Sequence, residues 1–131
     1  MPDDLFRELT EICARLRGPD GCPWDREQTL PDLARYIREE AEEVADAVKA
    51  GDPDAVAEEL GDLLFNIVHA ARIGEEEGTF DLARVIAGVR DKLIRRHPHV
   101  FGDAEAATTE EVLAHWNRIK AEEKRRKGRD R

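Results

Sequence analysis

Between Tyr36 and Asn66 the chain places carboxylates in stripes that helical periodicity reserves for apolar side chains. At about 100° per residue, Glu40 falls in the middle of the stripe made by Leu33, Ile37, Val44, Ala47 and Val48. Glu43 lies at the edge of that stripe one turn on, and Glu42 points the opposite way. Beyond a Gly51-Asp52-Pro53 break, Glu59 and Asp62, spaced i, i+3, flank the apolar face of Val56, Leu60, Leu63, Ile67 and Ala71. Asn66 continues their line. An unpartnered charge on a core-facing stripe costs on the order of several kcal/mol, or its pKa shifts until it is neutral. If the two helices form a hairpin through Gly51, Glu40, Glu43, Glu59 and Asp62 converge with no basic residue on either stripe. A hard divalent cation is the partner such a cluster calls for.

The flanking segments set the fold class. Apolar positions at helical spacing recur from Asp3 to Arg17, from Thr29 to Ala50, from Asp52 into the seventies, from Thr79 to Arg96 and from Thr108 onward. The expectation is an all-α chain, a helical bundle of about five helices with a central antiparallel helix pair carrying the acidic site. At 131 residues it suits one domain, and 40% hydrophobic with 39% charged residues fits long amphipathic helices better than a sheet. A net charge of −9 argues against stable nucleic-acid binding, which needs a dominant basic surface, but leaves room for a small phosphorylated ligand. No apolar run approaches the roughly 20 residues of a membrane span, and no signal peptide is visible; the expectation is a cytoplasmic protein with no membrane partner. Cys13 and Cys22 lack metal-site spacing and are too few for a disulfide framework.

Local signals refine this outline. Thr29 reads as the N-cap of the second long helix and Asp52, followed by Pro53, as that of the third. The third is apolar nearly all round from Leu63 to Ile73, as a central or subunit-contacting element would be, and Gly61 within it suggests close helix packing. Glu75-Glu76-Glu77-Gly78 reads as a solvated turn. Thr79 is expected to cap the fourth helix, with Leu82, Val85, Ile86, Val89 and Leu93 facing the core. Thr108 and Glu111 form a capping box for the last. The loop Cys22–Thr29 holds Trp24 beside Asp25, Arg26 and Gln28, which suits either stacking on a planar base or pinning the loop to the core. Lys92 and Arg96, one turn apart, fit either phosphate oxygens or the negative end of their own helix. His97 and His99 around Pro98 favour a turn over a ligand pair, and His69 and His115 read as structural or surface residues.

The acids admit three chemistries: solvated helix faces, a di-iron carboxylate bundle, or a metal-dependent phosphate hydrolase. The apolar surroundings of Glu40 count against the first. A di-iron site wants E-x-x-H pairs, and neither acidic pair contains histidine, so an oxygen-only site for Mg²⁺ or Mn²⁺ is preferred.

The chain resembles the MazG nucleoside triphosphate pyrophosphohydrolases of the all-α NTP pyrophosphatase superfamily. The acids Glu39-Glu40-x-x-Glu43 and Glu59-x-x-Asp62 match that family's EExxE…ExxD pattern. CPWDREQT at 22–29, ELGDLLF at 59–65, RRHPHVF at 95–101 and W-x-x-I-K from Trp116 to Lys120 follow in the family's order. Leu30 departs from it, since members often carry His there, which bears on a contact beside the base-proximal loop. The resemblance implies a single domain over 1–123, with the basic tail 124–131 expected to fray. It implies a Mg²⁺-dependent enzyme, with Mn²⁺ as possible substitute, that cleaves the α–β phosphoanhydride of a nucleoside triphosphate to give monophosphate and pyrophosphate. The associated role is clearing noncanonical or surplus nucleotides. Glu40, Glu43, Glu59 and Asp62 would bind metal, Lys92, Arg96 and Lys120 would contact phosphates, and Trp24 and Trp116 would lie near base or ribose. Glu39, beside Glu43 and just outside the apolar stripe, is the candidate to take the water's proton. A homodimer or higher homo-oligomer is expected. The rivals are a phosphoribosyl-ATP or dUTP/dCTP pyrophosphatase of the same superfamily, and a non-catalytic nucleotide-binding regulatory module.

Overall fold

The computed structural model describes residues 2–129 and is all-α. Among the described residues the helices are α1 (Pro2–Leu16), α2 (Pro23–Glu27), α3 (Leu30–Ala50), α4 (Pro53–Glu77), α5 (Leu82–Arg96), α6 (Pro98–Phe101) and α7 (Thr109–Arg129). Five are long; α2 and α6 are single short turns inside segments expected to be loops. The chain divides after Leu82 into two compact units.

In the first unit, α3 and α4 pack on each other and α1 packs on α4. The hairpin is written in its caps. The Thr29 N–H donates to Asp32 Oδ2 at 2.9 Å while Thr29 Oγ1 accepts from the Asp32 N–H, which starts α3 at Leu30. Gly51 closes α3 at φ 75°, a left-handed geometry that a side chain would strain. Asp52 Oδ1 then accepts from the N–H groups of Asp54 and Ala55, and Pro53 opens α4. So short a link between two packed long helices makes them antiparallel. The core is Cys13, Leu33, Ala47, Val68, Ala71 and Ile73, with His69 buried among them.

Three expectations for this unit change. A Cβ on Gly61 would meet nothing within 4 Å, so no close packing explains that glycine. The close approach is at Gly74, where a Cβ would lie 2.6 Å from the Phe80 ring. Glu75, Glu76 and Glu77 are not a free turn but the end of α4, and Glu76 is held by Arg17 through two 2.8 Å hydrogen bonds. The next helix begins only at Leu82, so Thr79 does not stand at its N-cap position; its N–H and hydroxyl donate to Gly74 O at 3.0 and 3.3 Å.

The second unit holds α6, α7 and all of α5 beyond its first residue. Glu123 of α7 accepts from Arg95 Nε at 2.6 Å and from Arg96 Nη2 at 2.9 Å, tying α5 to α7. Thr108 Oγ1 accepts from the Glu111 N–H as expected, although the return bond to the Glu111 carboxylate comes from the Ala107 N–H. Val85, Ile86, Val89 and Leu93, expected in the core, are exposed in the isolated chain. The tail expected to fray continues α7 to Arg129; Asp130 and Arg131 lie outside the described residues. No helix among the described residues is long and apolar enough to cross a membrane.

Candidate functional site

The antiparallel register places the acids. Glu43 and Glu59 each stand eight residues from Gly51, Glu40 and Asp62 each eleven, so residues equally far from the turn meet across the hairpin. One carboxylate oxygen from each of Glu40, Glu43 and Glu59 lies within 4.8 Å of the others. Asp62 is outside this tight group and exposed, but it lines the same cavity, and its charge acts on all three.

The electrostatics are those of a cluster lacking a counter-charge. Glu40 Oε1 and Glu59 Oε2 are buried, and among the described residues no donor reaches either. Glu59 contact raises the Glu43 pKa above the ordinary carboxylate value, and the Glu59 charge adds to this. The Glu59 pKa is raised chiefly by contact with Glu40, against an opposing pull from Glu43. Contact with Glu59 lowers the Glu40 pKa, but loss of water and the charges of Glu43 and Asp62 outweigh it, leaving it raised. An all-oxygen, all-anionic donor set with two orphaned buried oxygens fits a hard divalent cation.

Glu40, Glu43 and Asp62 form one side of a cavity of ≈ 260 Å³ that is also lined by Trp24, Leu33, Tyr36, Glu39, Phe65, Asn66 and His69, with Glu59 just behind that side against Glu40 and Glu43. Trp24, on the short α2, is 53% exposed, and its ring centroid lies 5.8 Å from that of Tyr36. Glu39 is exposed on the same wall. The pocket therefore joins a carboxylate cluster to an aromatic wall carrying one amide, Asn66, and one imidazole, His69. Trp24 and the acids are as expected from the sequence, whereas Tyr36, Phe65 and His69 were not expected to line the cavity. Tyr36 stands four residues before Glu40 and Asn66 four after Asp62, so helical spacing held the signal for both.

The remaining candidates lie in the second unit. Lys92 and Lys120 are exposed. Arg96, half-buried, is held by Glu123, and its guanidinium carbon sits 4.9 Å from the Trp116 ring centroid. Trp116 also meets His97 edge-on at 5.4 Å. Arg96 is thus placed by its own unit, and Trp116 is half-buried against it.

Comparison with known proteins places the fold in a family. Residues 28–101, more than half the chain, match the model of the MazG nucleotide pyrophosphohydrolase domain. A nucleoside triphosphate pyrophosphohydrolase of Escherichia coli (strain K12) is 51% identical over 120 residues, which are 91% of this chain and 46% of that protein. A Thermotoga maritima protein, nucleoside triphosphate pyrophosphohydrolase/pyrophosphatase MazG, is 45% identical over 123 residues, 94% of this chain and 47% of that protein. The chain thus spans about half the length of these curated relatives. The crystal structure of a mazG-related protein from Thermotoga maritima superposes with a TM-score of 0.75 at 32% identity, covering 88% of this chain and 98% of that one. By the family match across both helices of the acidic hairpin, and by likeness to a solved member over nearly its whole length, the chain belongs to the MazG nucleotide pyrophosphohydrolase domain family.

Proposed function

We propose that the chain is a Mg²⁺-dependent nucleoside triphosphate pyrophosphohydrolase, with Mn²⁺ able to substitute, acting at the Glu40–Glu43–Glu59 cluster. The observation that carries this is the pair of buried carboxylate oxygens without a donor, Glu40 Oε1 and Glu59 Oε2, beside an aromatic-walled cavity. Glu40, Glu43 and Glu59 hold the cation, and Asp62 adds charge at the same cavity. When bound, the cation neutralises triphosphate oxygens and makes water more acidic. Glu39, on the cavity wall, accepts the proton of the attacking water. The water oxygen bonds to phosphorus as the bridging P–O bond of the α–β anhydride breaks, giving nucleoside monophosphate and pyrophosphate. Trp24, with Tyr36 beside it, offers the base a stacking face.

In the second unit, Lys92, Arg96 and Lys120 are assigned to phosphate oxygens and Trp116 to base or ribose, on the family resemblance. The substrates are surplus or noncanonical (d)NTPs, and the protein acts as a homodimer or higher oligomer. The apolar side chains left exposed on α4 (Leu60, Leu64, Ile67) and on α5 (Val85, Ile86, Val89, Leu93) support association.

The test is pyrophosphate release from a panel of NTPs, dNTPs and damaged nucleotides with Mg²⁺, then with EDTA. Release with Mg²⁺ and none with EDTA is the expected result. Unchanged nucleotide across the panel would leave a binding module; turnover confined to phosphoribosyl-ATP or to dUTP and dCTP would assign a narrower pyrophosphatase. Glu39→Gln should bind cation normally and lose turnover; full turnover removes the proton-acceptor assignment.

A further inference from the structure

Arg17, one residue beyond the end of α1, is a cation that the proposed chemistry does not use. Its side chain is only 8% exposed. The guanidinium is occupied on every side. Nε and Nη2 donate to the two oxygens of Glu76 at 2.8 Å each, and Nη1 donates to Asp25 O at 2.6 Å and to Gln28 O at 3.2 Å. Nη1 also lies 3.4 Å from His69 Nε2, which is itself 3.4 Å from Asp25 O. A guanidinium so engaged has no fork left for a phosphate, so its function is to hold what it touches.

What it touches is the carrier of Trp24. The five-residue α2 is too short to hold itself, and its N-cap, Cys22, supplies no side-chain bond. The two carbonyls that Arg17 grips, those of Asp25 and Gln28, stand one and four residues after Trp24. Gln28 is buried, and its Nε2 donates back to Trp24 O at 2.8 Å. Trp24 is more than half exposed at the cavity, with Tyr36 on one side of its ring, so burial alone does not determine where it stands. His69, which lines the cavity, is braced by the same network.

We infer that Arg17, anchored by Glu76, is a positioning residue that sets the Trp24 wall of the cavity and so governs affinity for the nucleoside part of the substrate, not the hydrolytic step. The kinetic part of this inference rests on the proposed pyrophosphohydrolase reading; the placement of Trp24 does not. Lysine at position 17 keeps the charge but cannot span Glu76 and two carbonyls at once.

Two measurements on Arg17→Lys decide it, with Glu76→Gln as the second variant should the first fail to fold. In a Trp116→Phe background, where Trp24 is the only indole, fluorescence anisotropy of the ligand-free protein should fall and quenching by acrylamide should rise. Unchanged anisotropy and quenching would overturn the inference. With nucleoside triphosphate, KM should rise on the order of tenfold, the size of a lost aromatic stacking contact, with kcat within about twofold. The inhibition constant of inorganic tripolyphosphate, which has no base, should stay unchanged. A fall in kcat at unchanged KM, or equal weakening of both ligands, would overturn it. If wild-type protein turns over nothing, the pyrophosphohydrolase reading fails by itself, and the Trp24 anisotropy still decides the role of Arg17.

Discussion

Glu59 shows how one side chain holds opposing demands. Folding brings its Oε2 into a buried position among like charges with no donor, which is unfavourable for the free protein. On the proposed function the same feature makes the position useful, because a divalent cation would satisfy both the charge and the orphaned oxygen. Mg²⁺ or Mn²⁺ is expected to raise the wild-type Tm, and Glu59→Gln to remove that increase while leaving the chelator-treated protein at or above the wild-type Tm. Cation affinity by calorimetry should fall by more than the roughly 10–100-fold cost of losing a supporting group around a metal. A variant that melts lower than wild type in EDTA would mean that the carboxylate stabilises the fold by itself. Glu40, Glu43 and Glu59 could be picked out from residue type and helical phase alone. Arg17 could not: a lone arginine at a helix end has no periodic signature, and its partner Glu76 is 59 positions away.

Among the helices, the informative features are where each stops and what staples it. Gly74 lies buried near the end of α4 against the Phe80 ring. Alanine there adds about 1 kcal/mol of helix propensity but forces the ring aside, and overpacking of this kind costs about 1–3 kcal/mol. Gly74→Ala should therefore lower the urea midpoint, whereas Gly61→Ala, with open space around its Cβ, should raise it. Between α5 and α7 the staple is Glu123, whose pKa Arg95 and Arg96 push down to about 2. A depressed carboxylate contributes stability above its unfolded pKa, near 4.5, and that contribution disappears as pH falls through the folded value. Stability should decline between about pH 4.5 and 2 by about 1 kcal/mol from this group, given its partial exposure. Glu123→Gln should flatten that part of the acid-denaturation profile. The caps at Thr29, Asp52 and Thr108 were readable because capping is written within four residues. The start of α5 was not, because the Thr79 hydroxyl goes to Gly74 O, a partner that only the turn after α4 brings near.

For the molecule as a whole, exposed apolar side chains on α4 and on α5 predict association. Sedimentation at micromolar concentration should give a dimer or larger species, and a stable monomer would contradict this. Substituting Ile67 by Asp should shift the distribution toward smaller species if the α4 face is buried on assembly. Periodicity, caps and the spacing of acids about Gly51 were enough to establish an all-α chain, its central hairpin and the carboxylate cluster on it, because each is a relation among residues on one helix or across one tight turn. The aromatic wall of the cavity, the grip of Arg17 on the α2 carbonyls and the tether of Glu123 became visible only once helices were packed. Those contacts depend on which long, flexible side chain meets which distant backbone group, and that is settled by the geometry of packing, for which no local pattern of residue types is a substitute.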